Sequence, residues 1–136
     1  MKKRTTAYLK NKVLWPLFSK YIRLKYAKDG MVRCVTCGVV KPIKEMQAGH
    51  FIPGRHNSVL FQERNCHPQC AKCNIFLHGN LVEYYAFMLK TYGQGTIDEL
   101  KMLDKIICQY KRHEIEEMIE TYKNKLTALE LMQGEE

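Results

Sequence analysis

Two cysteine pairs carry the plainest chemistry in the chain. Cys34-Val35-Thr36-Cys37 and Cys70-Ala71-Lys72-Cys73 each set two thiols across a two-residue spacer. A spacer of that length lets both thiolates of one turn reach one ion, and two such turns complete the tetrahedron that Zn²⁺ prefers. Between the pairs lie 32 residues, more than a compact zinc ribbon inserts, so a sizeable unit is expected there. A closed four-thiolate site has no open coordination position, so the zinc is a scaffold and any chemistry comes from residues that it organises. Four buried free thiols are the alternative, and they leave the paired spacing unexplained. Cys66 and Cys108 are left over; Cys66 lies four residues before Cys70 and forms no second pair, and Cys108 is expected in the middle of a helix.

The elements that must position these residues follow from periodicity and turn signals. Residues 6–30 read as helix, with Leu14, Leu17, Phe18, Tyr21 and Ile22 at spacings of three and four. Pro16 either starts the main helix or kinks a longer one, and Gly30 ends it. Residues 31–65 change to β-branched and aromatic residues broken by Gly38, Pro42, Gly49, Pro53 and Gly54, which predicts short strands and turns. Helix returns from about Cys70. An amphipathic segment runs through NLVEYYAFMLKTYG, Thr96 is expected to cap a helix over TIDELKMLDKIICQY, and a last helix carries Ile115, Met118, Ile119, Tyr122 and Leu126 on one side. The predicted class is α+β, mainly α, in one domain over 1–136: a basic helical arm over 1–30, a zinc-bound core over 31–80 and a helical part over 81–136.

With 136 residues and 46% hydrophobic content, the chain can bury one modest core and is not a disordered polymer. No apolar run approaches the ~20 residues that span a bilayer. The start MKKRTTAYLKNK lacks the unbroken apolar stretch and cleavage site of a signal peptide, so a cytoplasmic protein with reduced cysteines is expected. Charge is unevenly spread. Residues 1–28 hold nine Lys or Arg and no acid, whereas residues 113–136 hold seven Glu against two Lys. A basic arm points to a polyanion such as DNA, with Lys2, Lys3, Arg4, Lys10, Lys12, Lys20, Arg23 and Lys25 as phosphate contacts.

Polar residues fall around the cysteine pairs in a fixed order. His50, Asn65 and Asn74 are separated by 15 and 9 residues, and Asn74 directly follows Cys73. A His, a loop Asn and a helix-borne Asn wrapped in two cysteine pairs resemble the HNH (ββα-metal) nucleases. The stretches LWPLFSKYIRLKYAKDGMVRCVTCG, AGHFIPG, NCHPQCAKCN and HGNLVEYY are similar to the NinG (Rap) recombination nucleases of lambdoid phages, over roughly residues 13 to 125. The resemblance implies an endonuclease acting on branched recombination intermediates, Holliday junctions and D-loops, in the host cytoplasm.

On that reading each residue has a task. Phosphodiester hydrolysis needs an activated water, a cation on the phosphate and stabilisation of the leaving oxygen. His50 is the expected general base, since imidazole accepts a proton near pH 7. Asn65 is expected to orient it. Asn74 offers a carbonyl oxygen to Mg²⁺ or Mn²⁺. The position before the base, where many HNH enzymes carry a metal ligand, is Gly49, so a further ligand is sought among His67, His78, Gln47 and Glu45, with His67 ranked first. His56 reads as a surface residue or phosphate contact, and Asn80 and Tyr84 as packing or capping residues, with DNA contact as their alternative. Quasi-symmetric branched DNA suits a homodimer, for which the last helix is one candidate surface, and a recombination mediator protein is a further expected partner. Two rival readings remain: a zinc-stabilised DNA-binding protein without catalysis, and a general nicking or homing-type HNH enzyme.

Overall fold

The structure is a computed structural model and describes residues 3–134. It is mainly helical, with two small antiparallel sheets. Helix α1 (Thr6–Tyr8) is capped by Thr5, whose hydroxyl accepts from the Tyr8 N–H at 3.0 Å. The chain continues through a π-helical stretch, Leu9–Leu14, into α2 (Trp15–Lys25). Pro16 explains the wide turn. Its ring crowds the preceding turn and it has no N–H to give. The Trp15 N–H reaches back five residues to the Lys10 carbonyl, and the helix passes the proline without breaking.

Gly30, at φ +75°, turns the chain into a hairpin of β1 (Met31–Arg33) and β2 (Val40–Pro42). The hairpin turn carries the first cysteine pair. The second sheet pairs β3 (Met46–His50) with β4 (Cys66–Cys70), so that Gly49 lies opposite His67 and His50 opposite Cys66. Between them run α3 (Asn57–Leu60) and a 3₁₀ turn, Glu63–Asn65. A second π-helical segment, Lys72–Phe76, leads to α4 (Leu81–Thr91), α5 (Gln94–Asp104) and α6 (Arg112–Gly134).

Alternation along β3 and β4 builds two different interiors. Ala48 and Cys66 face the main core, where Leu14, Phe18 and Ile22 of α2 meet Ile115, Ile119 and Tyr122 of α6. A smaller cluster, Phe51, Tyr84, Met88, Ile97 and Leu100, joins the chain after β3 to α4 and α5. Around the cysteines only Val32 and Met46 add buried apolar bulk.

The structure adds one strand and changes two sequence expectations. Residues 66–70 form a fully buried strand, for which the sequence carries no signal, and helix returns directly after Cys70 as expected. Helix α5 stops at Asp104, because Ile106 and Ile107 beyond it meet no core and stand exposed; Cys108 therefore lies in a loop. Gly93 precedes that helix, and Thr96 sits inside its first turn. On α6, Ile115, Ile119 and Tyr122 pack into the chain's own core, while Leu131 and Met132 near its end stand exposed. No helix among the described residues is long and apolar enough to cross a membrane.

Phe18 is fully buried and packs edge-on against Phe61 and Tyr122, 5.5 and 5.1 Å between centroids. Phe18→Ala is expected to cost ~3–5 kcal/mol, the range for a large aromatic removed from a closed core. Urea unfolding followed by circular dichroism measures it.

Candidate functional site

The sulfur atoms of Cys34, Cys37, Cys70 and Cys73 all lie within 4.8 Å of one another, and those of Cys37 and Cys70 are 3.7 Å apart. Tetrahedral Zn–S bonds of ~2.3 Å would set sulfurs ~3.8 Å apart, so the donor set fits the ion. Hydrogen bonds support the thiols from outside: the Thr36 hydroxyl is 3.3 Å from Cys34 Sγ, and Asn80 Nδ2 donates to Cys73 Sγ at 3.5 Å. Burial opposes ionisation of Cys34, but the Thr36 hydroxyl and neighbouring backbone N–H groups bring its pKa down to about 6. Burial and then the adjoining thiols push Cys37 up to about 12. Four thiolates this close need a dication to coexist. The four cysteines can hold a structural zinc ion.

Beside this cluster opens a cleft of about 640 Å³. His50, Gln47, Asn74, His78, Arg55 and Trp15 line it, and among the described residues no carboxylate does. His50 ends β3. Its Nε2 lies 2.9 Å from the Leu60 carbonyl, which can only accept, so Nε2 carries the hydrogen and Nδ1 keeps the lone pair. Trp15 stacks on the ring at 5.3 Å. Burial, aided by the Arg55 charge, holds the imidazole below its ordinary pKa, with the Leu60 carbonyl pulling the other way. A neutral ring with a fixed tautomer can accept a proton at Nδ1.

Asn65 does not touch the His50 ring; the Leu60 carbonyl is the ring's partner. Fully buried, Asn65 clamps the loop instead. Its Oδ1 accepts from the Ile52 N–H at 2.8 Å, and its Nδ2 donates to the carbonyls of Ile52 and Val59 at 3.2 Å each. The clamp holds the segment that ends in Leu60, so Asn65 orients His50 at one remove. Asn74 donates through Nδ2 to Gln47 Oε1 at 2.8 Å, which leaves Oδ1 as its acceptor atom.

Gly49 has a packing reason. A Cβ there would sit 1.9 Å from Gln69 Oε1 and 3.0 Å from Asn74 Oδ1, so no side chain fits. Gln69 is fully buried and donates through Nε2 to the Thr36 hydroxyl at 3.2 Å and to the Gly79 carbonyl at 2.8 Å. It ties the cysteine turn to the rim of the cleft.

His67 is not in the cleft. Period-two alternation puts it on the opposite side of the sheet from His50, fully buried among Tyr84, Phe87 and Tyr92. Tyr84 donates to the Gly49 carbonyl at 2.7 Å, so it accepts from His67 Nδ1 at 2.9 Å, and His67 Nε2 accepts from Tyr92 at 2.8 Å. Both ring nitrogens are used, and neither is free for a cation. His78 does line the cleft, though by another route than a helical i, i+4 pair. The π-helical segment has ended, and His78 sits in a turn at φ +50°. Glu45 belongs to a 3₁₀ turn outside the cleft lining.

The basic arm is partly spent. Lys20 pairs with Glu130 at 3.1 Å and Lys25 with Glu63 at 3.4 Å, while half-buried Arg23 donates to the Ser19 and Ile43 carbonyls. Lys10 donates to Asn57. Lys3, Arg4 and Lys12 stay exposed; Lys2 lies outside the described residues. His56 lies on the surface, as expected, and faces Asp104 at 2.8 Å. Sequence reasoning missed Arg55, Trp15 and Gln69. Arg55, a cation between His50 and Asn65, was findable; Trp15 and Gln69 reach the site only through the fold.

Comparison with known proteins agrees with the residue pattern. The family model described as "Bacteriophage Lambda NinG protein" matches residues 2–132. Protein ninG of Escherichia phage lambda is 33% identical over 75 residues, which is 54% of this chain and 36% of the relative. Protein ninG of Salmonella phage P22 is 31% identical over 87 residues, 63% of this chain and 39% of the relative. The chain thus spans less than two fifths of the length of these curated relatives. No solved structure matches it.

Two outcomes are expected. Elemental analysis should find one zinc per chain, and Cys73→Ser should lose most of it and lower the melting temperature; unchanged metal content would exclude the site. Burial, with Lys25 adding to it, pushes the His67 pKa down to about 3, against ~6.5 unfolded. Between those values the unfolded chain binds the extra proton, so stability should fall as pH drops from 6.5 toward 3. Urea midpoints across that range measure the slope, which His67→Gln should flatten.

Proposed function

From a chain that belongs to the NinG family, we propose a divalent-metal-dependent DNA endonuclease of the HNH (ββα-metal) kind, acting on branched recombination intermediates such as Holliday junctions and D-loops in the host cytoplasm. One observation carries the reading: His50, neutral and fixed in one tautomer, shares a cleft with Asn74 and His78. The succession of β3, β4 and a short helical segment around the cysteines supports the ββα assignment. Because the relatives are much longer, the activity of the whole protein is part of the proposal.

The chain's own residues divide the work. His50 Nδ1 takes the proton of the attacking water, and its Nε2–H stays on the Leu60 carbonyl through the step. Asn65 keeps that carbonyl in place through its clamp on Ile52 and Val59. Asn74 Oδ1 and His78 would hold Mg²⁺ or Mn²⁺, which when bound supplies positive charge to the scissile phosphate and the leaving oxygen. Arg55 adds a fixed cation on the same wall. Lys3, Arg4 and Lys12 would contact phosphates, which position DNA without reading sequence. A DNA-binding protein without catalysis is the second reading. The absence of a carboxylate from the cleft favours it, since Mg²⁺ sites ordinarily include one.

The deciding assay incubates the protein with a four-way junction and with linear duplex at matched salt, with Mg²⁺ or Mn²⁺, with and without chelator. Metal-dependent cleavage of the junction is expected. His50→Ala should reduce it at least ~100-fold, as loss of a general base does, while zinc content and DNA affinity persist. Full activity in that variant would sink the mechanism. Because His50 is held below its ordinary pKa, the rate should rise with pH and reach half its plateau below ~6.5.

A further inference from the structure

The turn that closes one side of the cleft holds apolar side chains out in solvent. Ile75, Phe76 and Leu77 are exposed, Phe76 at 74%, and just beyond the turn Leu81 and Val82 are exposed as well, Val82 at 82%. Single apolar residues on a surface need no explanation, but five within eight positions form a patch. The backbone beneath them is pinned. Leu77 N–H donates to the Lys72 carbonyl and Gly79 N–H to the Cys73 carbonyl, each at 2.8 Å. Gln69 holds the Gly79 carbonyl, and Asn80 reaches the Cys73 sulfur. His78, Gly79 and Asn80 all have positive φ, an arrangement that non-glycine residues keep only where their surroundings enforce it. The apolar group is therefore presented rigidly from the cysteine cluster.

We propose that this turn is a wedge for DNA bases: Phe76, flanked by Ile75 and Val82, stacks into the opened step at a branch point while the adjoining backbone enters the cleft. The proposal deepens the nuclease reading and rests on it. Continuity chooses DNA as the occupant, because Asn74 and His78 line the cleft and bracket Ile75, Phe76 and Leu77, and Leu81 belongs to both surfaces. Charge agrees. The cleft beside the wedge contains Arg55 and no acid, and exposed Lys72 stands at the base of the turn. Inserting an apolar side chain between bases costs stacking in continuous duplex and little where a branch has already interrupted the stack. The wedge would thus supply selection by DNA structure, which phosphate contacts alone do not.

The test uses Phe76→Ala, the double variant Phe76→Ala with Val82→Ser, and Phe76→Trp; the side chains replaced are solvent-exposed, and thermal melts check that the fold persists. A four-way junction carrying 2-aminopurine at the branch is titrated with protein in chelator. Wild-type protein should raise the fluorescence as the base unstacks, both alanine-containing variants should lose that rise, and Phe76→Trp should keep the stacking contact. With metal added, junction cleavage by Phe76→Ala should fall about tenfold while nicking of linear duplex changes less than twofold. An unchanged fluorescence response, or an unchanged junction preference, in the alanine variants overturns the wedge. Wild-type protein that cleaves no DNA defeats the nuclease reading instead, and the fluorescence titration still decides the wedge by itself. Loss of self-association in the variants with unaltered DNA binding would reassign the patch to a protein contact and overturn the proposal.

Discussion

Four thiols within 4.8 Å of one another are the constraint from which the rest of the site hangs. The β1–β2 hairpin has three-residue strands, and its buried apolar residue beyond the cysteines, Val32, packs with Met46 of β3 and the cysteines. A hairpin that short does not hold itself in water. A structural zinc contributes ~10–16 kcal/mol in small metal domains, as much as the whole net stability of an ordinary fold. With zinc bound, the four thiolates would take the place of a core at this end of the molecule. They also set a datum: Thr36, between the first two cysteines, holds Gln69, and Gln69 holds the carbonyl of Gly79 at the cleft rim. Asn74 leaves the same helical segment one residue after Cys73.

The two-stranded sheet is the second half of the device. Each face is buried against a different helical partner, so adjacent residues of one strand answer to different environments. His50 goes to the side of Trp15 and the Leu60 carbonyl. Gly49, one position earlier, gives its carbonyl to Tyr84 on the other side, in line with His67 and Tyr92. The buried chain of hydrogen bonds has one direction when His67 is neutral, from Tyr92 through His67 and Tyr84 to the strand. It fixes the peptide next to His50 from behind, while Asn65 fixes the loop in front. Two polar networks, both fully buried at their centres, thus hold one largely buried ring.

Much of this was legible in the sequence. The paired cysteine spacing gave the four-thiol cluster, the three-to-four periodicity gave α2, α4 and α6, and of His50, Asn65 and Asn74 the first and last line the cleft while Asn65 clamps the loop. What escaped depended on facing rather than on type. His67 and His78 are both histidines near the second cysteine pair, and only the pleat of β4 and the end of the π-helical segment decide which meets the cleft. Strand β4, reading Cys-His-Pro-Gln-Cys, has no β-branched residue and is imposed by pairing with β3 and by burial. Gly49 looked like a missing ligand; it is the room that Gln69 needs. Trp15 and Gln69 have no local signal, because their roles arise from contacts 35 and 20 residues away in sequence, with His50 and Gly49.

The charge distribution shows why counting is a weak guide to binding. From composition the first helix is a cationic stripe and the last an acidic counterweight. In the fold the two are antagonists only in part. Their apolar faces share the main core, which brings Lys20 against Glu130, while Glu63 from the 3₁₀ turn gathers Lys25 and Lys125. Such exposed pairs contribute ~0.2–1 kcal/mol each, so their main effect is to remove cations from the free surface. Part of the charge left for a polyanion lies in the N-terminal residues Lys3, Arg4 and Lys12, and part in the cleft around Arg55 with exposed Lys72 at its edge. That division separates the tasks: exposed terminal cations gather a phosphate backbone from any direction, whereas the cleft, walled by a fixed imidazole and a rigid apolar turn, accepts it in one.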